Sequence, residues 1–265
     1  MGSIAPKIQR IILYFANYPK IGKFIGSILA FLEVPWLEWI SFKDKYIRPG
    51  SYKRMMKTFT LFYSSRIIPL NIKIEGSPSV APTEEIMNII RRMPAVSIGY
   101  CYCRTKYQNC NNPLWTCIHI GTAKHLDELS KKIPLRNSSH DEIEKLLLDA
   151  NKRGLVHQLL TSPNSNYVYV ICNCCPCCCV MLKNAIQYNF HGVVTPSNFI
   201  NSRKEELCQN CGMCVERCHF GAISYTNNKL GFEEEKCVGC GLCISSCKNK
   251  ALILKRRISI IRKLK

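Results

Sequence analysis

Eight cysteines near the C-terminus form two copies of one pattern. The first copy consists of Cys208, Cys211, Cys214 and Cys218, and the second, 29 residues later, of Cys237, Cys240, Cys243 and Cys247. Three thiolates with two residues between neighbours can wrap a tight loop around one four-iron cube. Gly212 and Gly241 lie inside these loops, where a residue without a side chain leaves room for the cube. The fourth cysteine of each copy begins the next helical turn and reaches the neighbouring cube.

The spacing therefore predicts two 4Fe-4S clusters. The predicted ligands of cluster one are Cys208, Cys211, Cys214 and Cys247, and those of cluster two are Cys237, Cys240, Cys243 and Cys218. Zinc is the alternative metal, but structural zinc sites use two Cys-x-x-Cys pairs and not triplets of this kind. The complete repeat of eight cysteines favours iron-sulfur chemistry.

This region resembles the bacterial dicluster ferredoxins, whose motif places a proline after the fourth cysteine of each copy. Here His219 and Lys248 stand at those two positions. Proline is not a ligand, so the resemblance still implies cluster binding. Hydrogen bonding and charge near the sulfurs differ from the family pattern, and both can shift a reduction potential.

Ten further cysteines lie upstream in two patches. They are Cys101, Cys103, Cys110 and Cys117 in the first patch and Cys172, Cys174, Cys175, Cys177, Cys178 and Cys179 in the second. Six thiols in eight positions cannot all be core filler, because neighbours on a regular element point to different sides. Asn173 to Pro176 predicts a turn that gathers the sulfurs. We expect an additional iron-sulfur or other metal centre here, with a redox-active thiol relay, a noncubane centre and a thiol-based substrate site as open alternatives.

The wider pattern of residues 80 to 257 resembles larger ferredoxin-like proteins of anaerobic bacteria and archaea. It comprises Cys101-x-Cys103-Arg104, then Cys110, Pro113 and Cys117, then Gly154 to His157, and then the cysteine run from Cys172 to Cys179. The resemblance implies a cysteine-rich domain fused ahead of the dicluster module. It brings no assigned reaction.

Three further residues near the upstream cysteines are candidates for the same chemistry. His119 and His157 can in principle bind iron or zinc, but lone histidines are more often surface or helix-end residues, and we expect that here. Arg104, beside Cys103, is predicted to donate hydrogen bonds to a cluster sulfur or to hold an anionic ligand.

The composition favours a globular protein that does not need disulfides. The chain has 265 residues, 18 cysteines and 47% hydrophobic residues, which is enough to build a core without cross-links. Lys7 and Arg10 precede a short apolar run, but no small-residue cleavage site follows, so no secretory signal is expected. These features predict a cytoplasmic protein, because a reducing compartment leaves thiols free to bind metal.

The charge distribution suggests partners at the two ends of the chain. The formal net charge is +19, and residues 1–73 and 255–265 hold most of the uncompensated Lys and Arg. The apolar window from Ile21 to Ile40 is interrupted by Lys23, Glu33, Pro35 and Glu38, so we do not expect it to span a membrane. The basic ends predict association with an acidic partner or with anionic lipid on the cytoplasmic face. No nucleic-acid reading motif is present, so specific nucleic-acid binding is not expected.

The elements that must position the cysteines predict an α+β fold in four parts. These are a helical, basic region at 1–73, a mostly helical cysteine-rich domain at 74–200, a dicluster ferredoxin domain at 201–257 with two short hairpins and helices around two clusters, and a basic tail at 258–265. One helix is predicted from Thr83 to before Pro94 and another from the capping box Ser139/Glu142 to Gly154. Residues 222–225 and 230–232 predict a hairpin around Asn227 and Asn228, and residues 252–254 predict a further strand.

These observations predict an iron-sulfur electron-transfer protein that serves redox partner proteins. No phosphate loop, dinucleotide fingerprint or set of nucleophile and base was found, which favours a carrier over an enzyme. Two alternatives remain. One is an iron-sulfur oxidoreductase whose cysteine-rich domain is reduced by the ferredoxin module, and the other is a membrane-surface subunit of a redox complex.

Overall fold

The computed structural model describes residues 39, 64–69, 86–92, 96–120, 134–161, 168–187, 194–226 and 229–257. The predicted helical region at 1–73, the apolar window at 21–40 and the tail at 258–265 therefore lie almost wholly outside the described residues. The predicted turn at Asn227 and Asn228 lies outside them as well.

The described residues contain both strands and helices, interspersed along the chain. The strands are β1 (Ser64–Ile67), β2 (Val96–Tyr100), β3 (Trp115–Ile120), β4 (Leu135–Ser138), β5 (Val156–Thr161), β6 (Val168–Cys174), β7 (Val194–Thr195), β8 (Phe199–Arg203), β9 (Ile223–Thr226), β10 (Lys229–Phe232) and β11 (Leu252–Arg256). The helices are α1 (Ile86–Arg91), α2 (Tyr102–Tyr107), α3 (His140–Lys152), α4 (Val180–Ile186), α5 (Met213–Glu216) and α6 (Leu242–Ser246). A short 3-10 turn, Glu205–Leu207 or Glu234–Lys236, precedes the first cysteine of each ferredoxin copy.

The cysteine-rich domain is built on a sheet, and the prediction that it is mostly helical is wrong. Seven strands form one sheet in the order β4-β2-β3-β6-β5-β1-β7, antiparallel throughout except for the β1/β7 pair. Strand β6 carries Val168, Val170 and Ile171, and such β-branched residues favour strands. The sequence is ambiguous here because short apolar runs do not separate a strand from a buried helix by periodicity.

The two predicted upstream helices are confirmed, and they cover one face of this sheet. The Ser139 side chain accepts a hydrogen bond from the backbone N–H of Glu142 at 3.2 Å, as the capping box requires. Gly154 has φ of +77°, the left-handed conformation that a glycine adopts easily after a helix. The core between helices α1 and α3 and the sheet includes Ile86, Ile90, Ile98, Ile118, Ile143, Leu147 and Ile171.

The dicluster region contains one of the two predicted hairpins within its described residues. Strands β9 and β10 pair as predicted, with Leu230 opposite Tyr225. The second pair is not a hairpin, because β11 pairs antiparallel with β8, which precedes the first cysteine of the module. The strand predicted at 252–254 is therefore present. Its partner β8 begins before and ends after the predicted domain boundary at residue 200.

None of the helices within the described ranges is long and apolar enough to cross a lipid bilayer.

Candidate metal centres

The cysteines of the ferredoxin copies assemble around two cavities. The first cavity, about 190 Å³, is lined by the thiols of Cys208, Cys211, Cys214 and Cys247, which we call the first thiol group. The second, about 20 Å³, is lined by Cys218, Cys237, Cys240 and Cys243, the second thiol group. Each cavity thus receives three cysteines from one copy and the fourth cysteine from the other.

The backbone explains how three cysteines reach one cavity. Gly212 and Gly241 precede helices α5 and α6 with φ of +75° and +79°, which turns the chain tightly between the second and third cysteines. Among the described residues, no carboxylate or imidazole lines either cavity, so the thiols are the only anionic ligands that these residues offer. A thiol-only donor set around a cavity suits an iron-sulfur cluster.

Burial opposes ionisation of these thiols when no metal is bound. Burial raises the pKa of the Cys243 thiol well above its usual value, and it raises the pKa of the Cys240 thiol to about 12. A metal that binds here must displace those protons, so binding and deprotonation are coupled.

Residues 207–252 match the family model of the 4Fe-4S dicluster domain. The chain carries an iron-sulfur module of the ferredoxin type. Such a module transfers electrons, and the match covers both cysteine copies, since it runs from before Cys208 to after Cys247. A comparison of the whole chain with curated proteins found no match.

Four of the ten upstream cysteines converge on a separate point. The sulfurs of Cys110, Cys175, Cys177 and Cys178 all lie within 4.8 Å of one another, and we call these residues the tetrad. The Cys110 sulfur lies 3.7 Å from that of Cys175 and 3.8 Å from that of Cys178. The predicted turn starts later than expected, because β6 continues through Cys174 and the turn lies at residues 176–178.

Asn109 and Asn112 support the tetrad, and neither was predicted from the sequence. The Asn112 amide donates to the Cys110 sulfur at 3.4 Å, and the Asn109 amide donates to the Cys177 carbonyl at 2.9 Å. Burial is the largest single influence on the pKa of Cys110 and raises it, but the hydrogen bonds from Asn112, Cys177 and Cys175 together outweigh burial and bring that pKa down to about 6. Burial raises the pKa of Cys178 to about 11 and that of Cys177 further. The only sequence signal for the asparagines is that they flank Cys110.

The other six upstream cysteines form a second assembly, which we call the six-thiol group. They are Cys101, Cys103, Cys117, Cys172, Cys174 and Cys179. Cys172 and Cys174 share one face of β6 because strand side chains alternate, and Ile171 and Asn173 point to the other face. Cys117 comes from β3, Cys101 follows β2, Cys103 lies in α2, and Cys179 caps α4.

Pairwise contacts link the six sulfurs to one another. Cys117 accepts hydrogen bonds from the Cys101 and Cys172 thiols, which lower the pKa of Cys117. Cys179 accepts from Cys103 and Cys174, which likewise lower the pKa of Cys179. A contact between Cys172 and Cys174 joins these two triads into one chain of sulfurs.

Arg104 lies between the tetrad and the six-thiol group and is only 1% exposed. Its guanidinium donates to the Pro113 carbonyl, to Thr116 Oγ1 at 2.9 Å, to the Asn173 carbonyl at 3.1 Å and to the Cys175 sulfur at 3.6 Å. Burial lowers the pKa of Arg104, but the neighbouring Cys101, Cys175 and Cys174 raise it, and the net shift is upward. Arg104 therefore donates to a thiol of the tetrad, and its predicted hydrogen bond to the sulfur of a bound cluster stays a prediction.

Two buried polar side chains lie beside the six-thiol group, and the sequence indicated only one of them, Asn173, which was predicted to begin a turn and lies in strand β6 instead. Gln158 donates to the Cys179 sulfur at 3.5 Å. Asn173 donates to the Thr116 carbonyl at 2.6 Å and accepts from His157 Nδ1 at the same distance.

The expectation for the histidines is wrong. His157 is 1% exposed in the interior of β5, and burial lowers its pKa to about 4, so it is neutral near pH 7. His119 is half-buried and is the next-to-last residue of β3. Neither is a surface or helix-end residue.

Proposed function

We propose that this protein is an electron carrier with two 4Fe-4S clusters. The first thiol group holds cluster one and the second thiol group holds cluster two. The observation that carries this proposal is the exchange of fourth cysteines: Cys247 lines the cavity of the first copy and Cys218 lines that of the second. Bound clusters supply one-electron redox chemistry, and the protein holds them close together for transfer to partner proteins.

The tetrad is the site of a third metal centre with a single tetrahedral ion. With metal-sulfur bonds of about 2.3 Å, a tetrahedral zinc ion holds its four sulfurs about 3.8 Å apart. The sulfur separations of 3.7 and 3.8 Å around Cys110 agree with that geometry. A four-iron cube binds each thiolate through a different iron atom and needs wider separations, so zinc or a single iron ion fits better than a third cube.

Metal analysis of anaerobically purified full-length protein tests both assignments. We expect at least about eight iron and eight sulfide per chain from the two clusters, and one further tetrahedral ion. Reduction should produce electron paramagnetic resonance (EPR) signals of interacting reduced 4Fe-4S clusters. Zinc in place of iron in the module, or the absence of these signals, would overturn the carrier proposal.

Matched serine variants assign the ions to their sites. Cys211→Ser should perturb the signal of cluster one, and Cys237→Ser that of cluster two. Cys110→Ser should remove the single tetrahedral ion and leave both cluster signals intact. Loss of a cluster signal in Cys110→Ser would contradict a separate tetrad.

Association with an anionic membrane or an acidic partner remains a second proposal, which rests on the basic ends of the chain. Residues 258–265 combine Arg262, Lys263 and Lys265 with four apolar side chains. Sedimentation with vesicles containing anionic lipid at low and high salt tests it. Equal binding to neutral vesicles, or none to either, would count against this proposal.

A further inference from the structure

The six-thiol group is left without a role once eight cysteines serve the module and four serve the tetrad. Cys101, Cys117, Cys174 and Cys179 are buried, and the other two are partly buried. The opposite face of the same strands carries an ordinary aliphatic core that includes Ile118 and Ile171. The sheet thus separates one face packed with hydrocarbon from one face packed with sulfur.

The surroundings of the group suit an anionic centre. Arg104 is always protonated, and a buried charge requires a countercharge. The described hydrogen-bond partners of its guanidinium are two carbonyls, a hydroxyl and the Cys175 thiol of the tetrad, with no carboxylate among them. Cys101 and Cys174 of the six-thiol group also lie close enough to act on its charge. Metal-bound thiolates would supply the countercharge. Gln158 adds a neutral donor to the Cys179 sulfur, as donors to cluster sulfurs commonly do.

The arrangement of the six sulfurs excludes a simple ion site. Within the described residues, the tetrad is the only set of three or more His, Cys, Asp or Glu side chains whose ligand atoms all lie within 4.8 Å of one another. A mononuclear ion, or a pair of ions bridged by thiolates, needs four sulfurs gathered around each metal. The six sulfurs instead run in a chain of two triads, centred on Cys117 and Cys179. Cys117 and Cys179 belong to two different buried side-chain groups, and Cys103 and Cys172 pack against both groups. Inorganic sulfide is the component that can link metals across such an extended set of thiolates.

We propose that the six-thiol group holds a polynuclear iron-sulfur cluster with more than four thiolate ligands, three from each triad. The inference rests on the proposed function, because the electrons for this cluster come from the ferredoxin module. A single cube has four iron atoms and cannot use six thiolates at one per iron. The centre is therefore larger or more open than the two clusters of the module.

The second thiol group is the contact point between the module and this centre. Cys174 and Cys179 belong to one group of buried side chains in the core. Cys240 packs against this group, as Cys103 and Cys172 do. Val238 and Leu242, on either side of Cys240 in the chain, are members of the same group of buried side chains. A cluster held by Cys240 and its partners would therefore lie beside the six-thiol group, where it could give one electron to a centre that gains one.

Iron and sulfide counting on anaerobically purified full-length protein, combined with ⁵⁷Fe Mössbauer spectroscopy, tests the inference. We expect clearly more than eight iron atoms per chain and a spectral component that is neither the two cubes nor a single tetrahedral iron. Cys117→Ser and Cys179→Ser should lose that component while the EPR signals of the module persist. In the wild type, the reduced centre should speed the spin relaxation of cluster two more than that of cluster one.

The outcomes separate this inference from the proposed function. About eight iron atoms with intact module signals would overturn the six-thiol cluster and leave the carrier proposal standing. Disulfides among the six cysteines, detected by alkylation and mass analysis of anaerobic protein, would replace the cluster with a thiol relay and also overturn it. If the serine variants fail to fold, the wild-type iron count and spectrum still decide. Absent module signals with the extra component present would instead overturn the carrier proposal alone.

Discussion

The His219 side chain hydrogen-bonds the backbone carbonyl of Gly154 through Nε2 at 2.8 Å. His219 directly follows the fourth cysteine of the first ferredoxin copy, at the position where the family motif has proline. Gly154 lies just after helix α3 of the cysteine-rich domain. Arg217 adds a second link, from its guanidinium to the Lys152 carbonyl. The departure from the motif thus joins the module to the sheet domain.

Replacing His219 should weaken that junction. In His219→Ala the Gly154 carbonyl loses its partner, and we expect a loss of about 1 kcal/mol in the free energy of unfolding. Lys248→Ala is the matched control, because Lys248 holds the corresponding position in the second copy. Denaturant unfolding of anaerobic protein measures both. Equal effects of the two substitutions would contradict a docking role for His219.

A close backbone contact within the module lies at Gly239, against the start of strand β8. A Cβ atom there would overlap the Phe199 carbonyl oxygen, and the φ of Gly239 is +66°. We expect Gly239→Ala to destabilise by about 3 kcal/mol or more, because the left-handed backbone and the clash both act against it.

Gly221→Ala is the control for that prediction. Gly221 has φ of +64° but nothing within 4 Å of a Cβ atom, so only the backbone strain of about 1 kcal/mol applies. Thermal unfolding of both variants, with iron content recorded alongside, gives the comparison. If Gly239→Ala lost less stability than Gly221→Ala, the backbone near Phe199 would have to move at little cost in free energy.

Local sequence predicted the parts of the molecule that depend on neighbours in the chain. The capping box at Ser139 and the hairpin of β9 and β10 are confirmed for that reason. The seven-stranded sheet was missed because its pairings join distant segments, such as β1 with β5 and β7. The β8/β11 pair was missed for the same reason.

The division of the upstream cysteines also depends on the fold. Cys110 meets Cys175 across 65 residues, which spacing alone does not reveal. Neighbours in the run belong to different assemblies: Cys174 joins the six-thiol group and Cys175 the tetrad. The alternation of Cys172, Asn173 and Cys174 was the one local signal, since it is typical of a strand with thiols on a single face.

Metal binding at the tetrad should weaken steeply as the pH falls. The raised pKa values of Cys177 and Cys178 mean that both thiols are protonated near pH 7 before metal binds. Binding releases at least these two protons, so the apparent affinity for zinc should fall about 100-fold per pH unit between pH 8 and pH 7. Below pH 6 Cys110 is protonated as well, because its pKa is about 6, and the dependence steepens. Chelator competition at several pH values measures this change in apparent zinc affinity. In Cys178→Ser the change should be about tenfold smaller per pH unit. A change of less than tenfold per pH unit in the wild type would contradict the assignment of the tetrad as a metal site.

Arg104 should be required for the charge balance of the upstream centres. Arg104→Met removes the buried cation beside several thiolates, and removing one partner of a buried pair costs about 3 to 5 kcal/mol. Arg104→Lys keeps the charge, but one ammonium cannot reach Thr116, Asn173 and Cys175 together, so we expect an intermediate loss.

Arg153→Met is the control for the Arg104 variants, since Arg153 pairs with Asp149 at 2.7 Å on the surface, where an ion pair contributes about 1 kcal/mol at most. Thermal unfolding and the rate of metal loss to a chelator should rank Arg104→Met as the most damaging substitution and Arg104→Lys as intermediate. Arg153→Met should stay near wild type. If Arg104→Met and Arg153→Met had similar thermal stability and similar rates of metal loss, the cysteines around Arg104 would carry no negative charge in the metal-loaded protein.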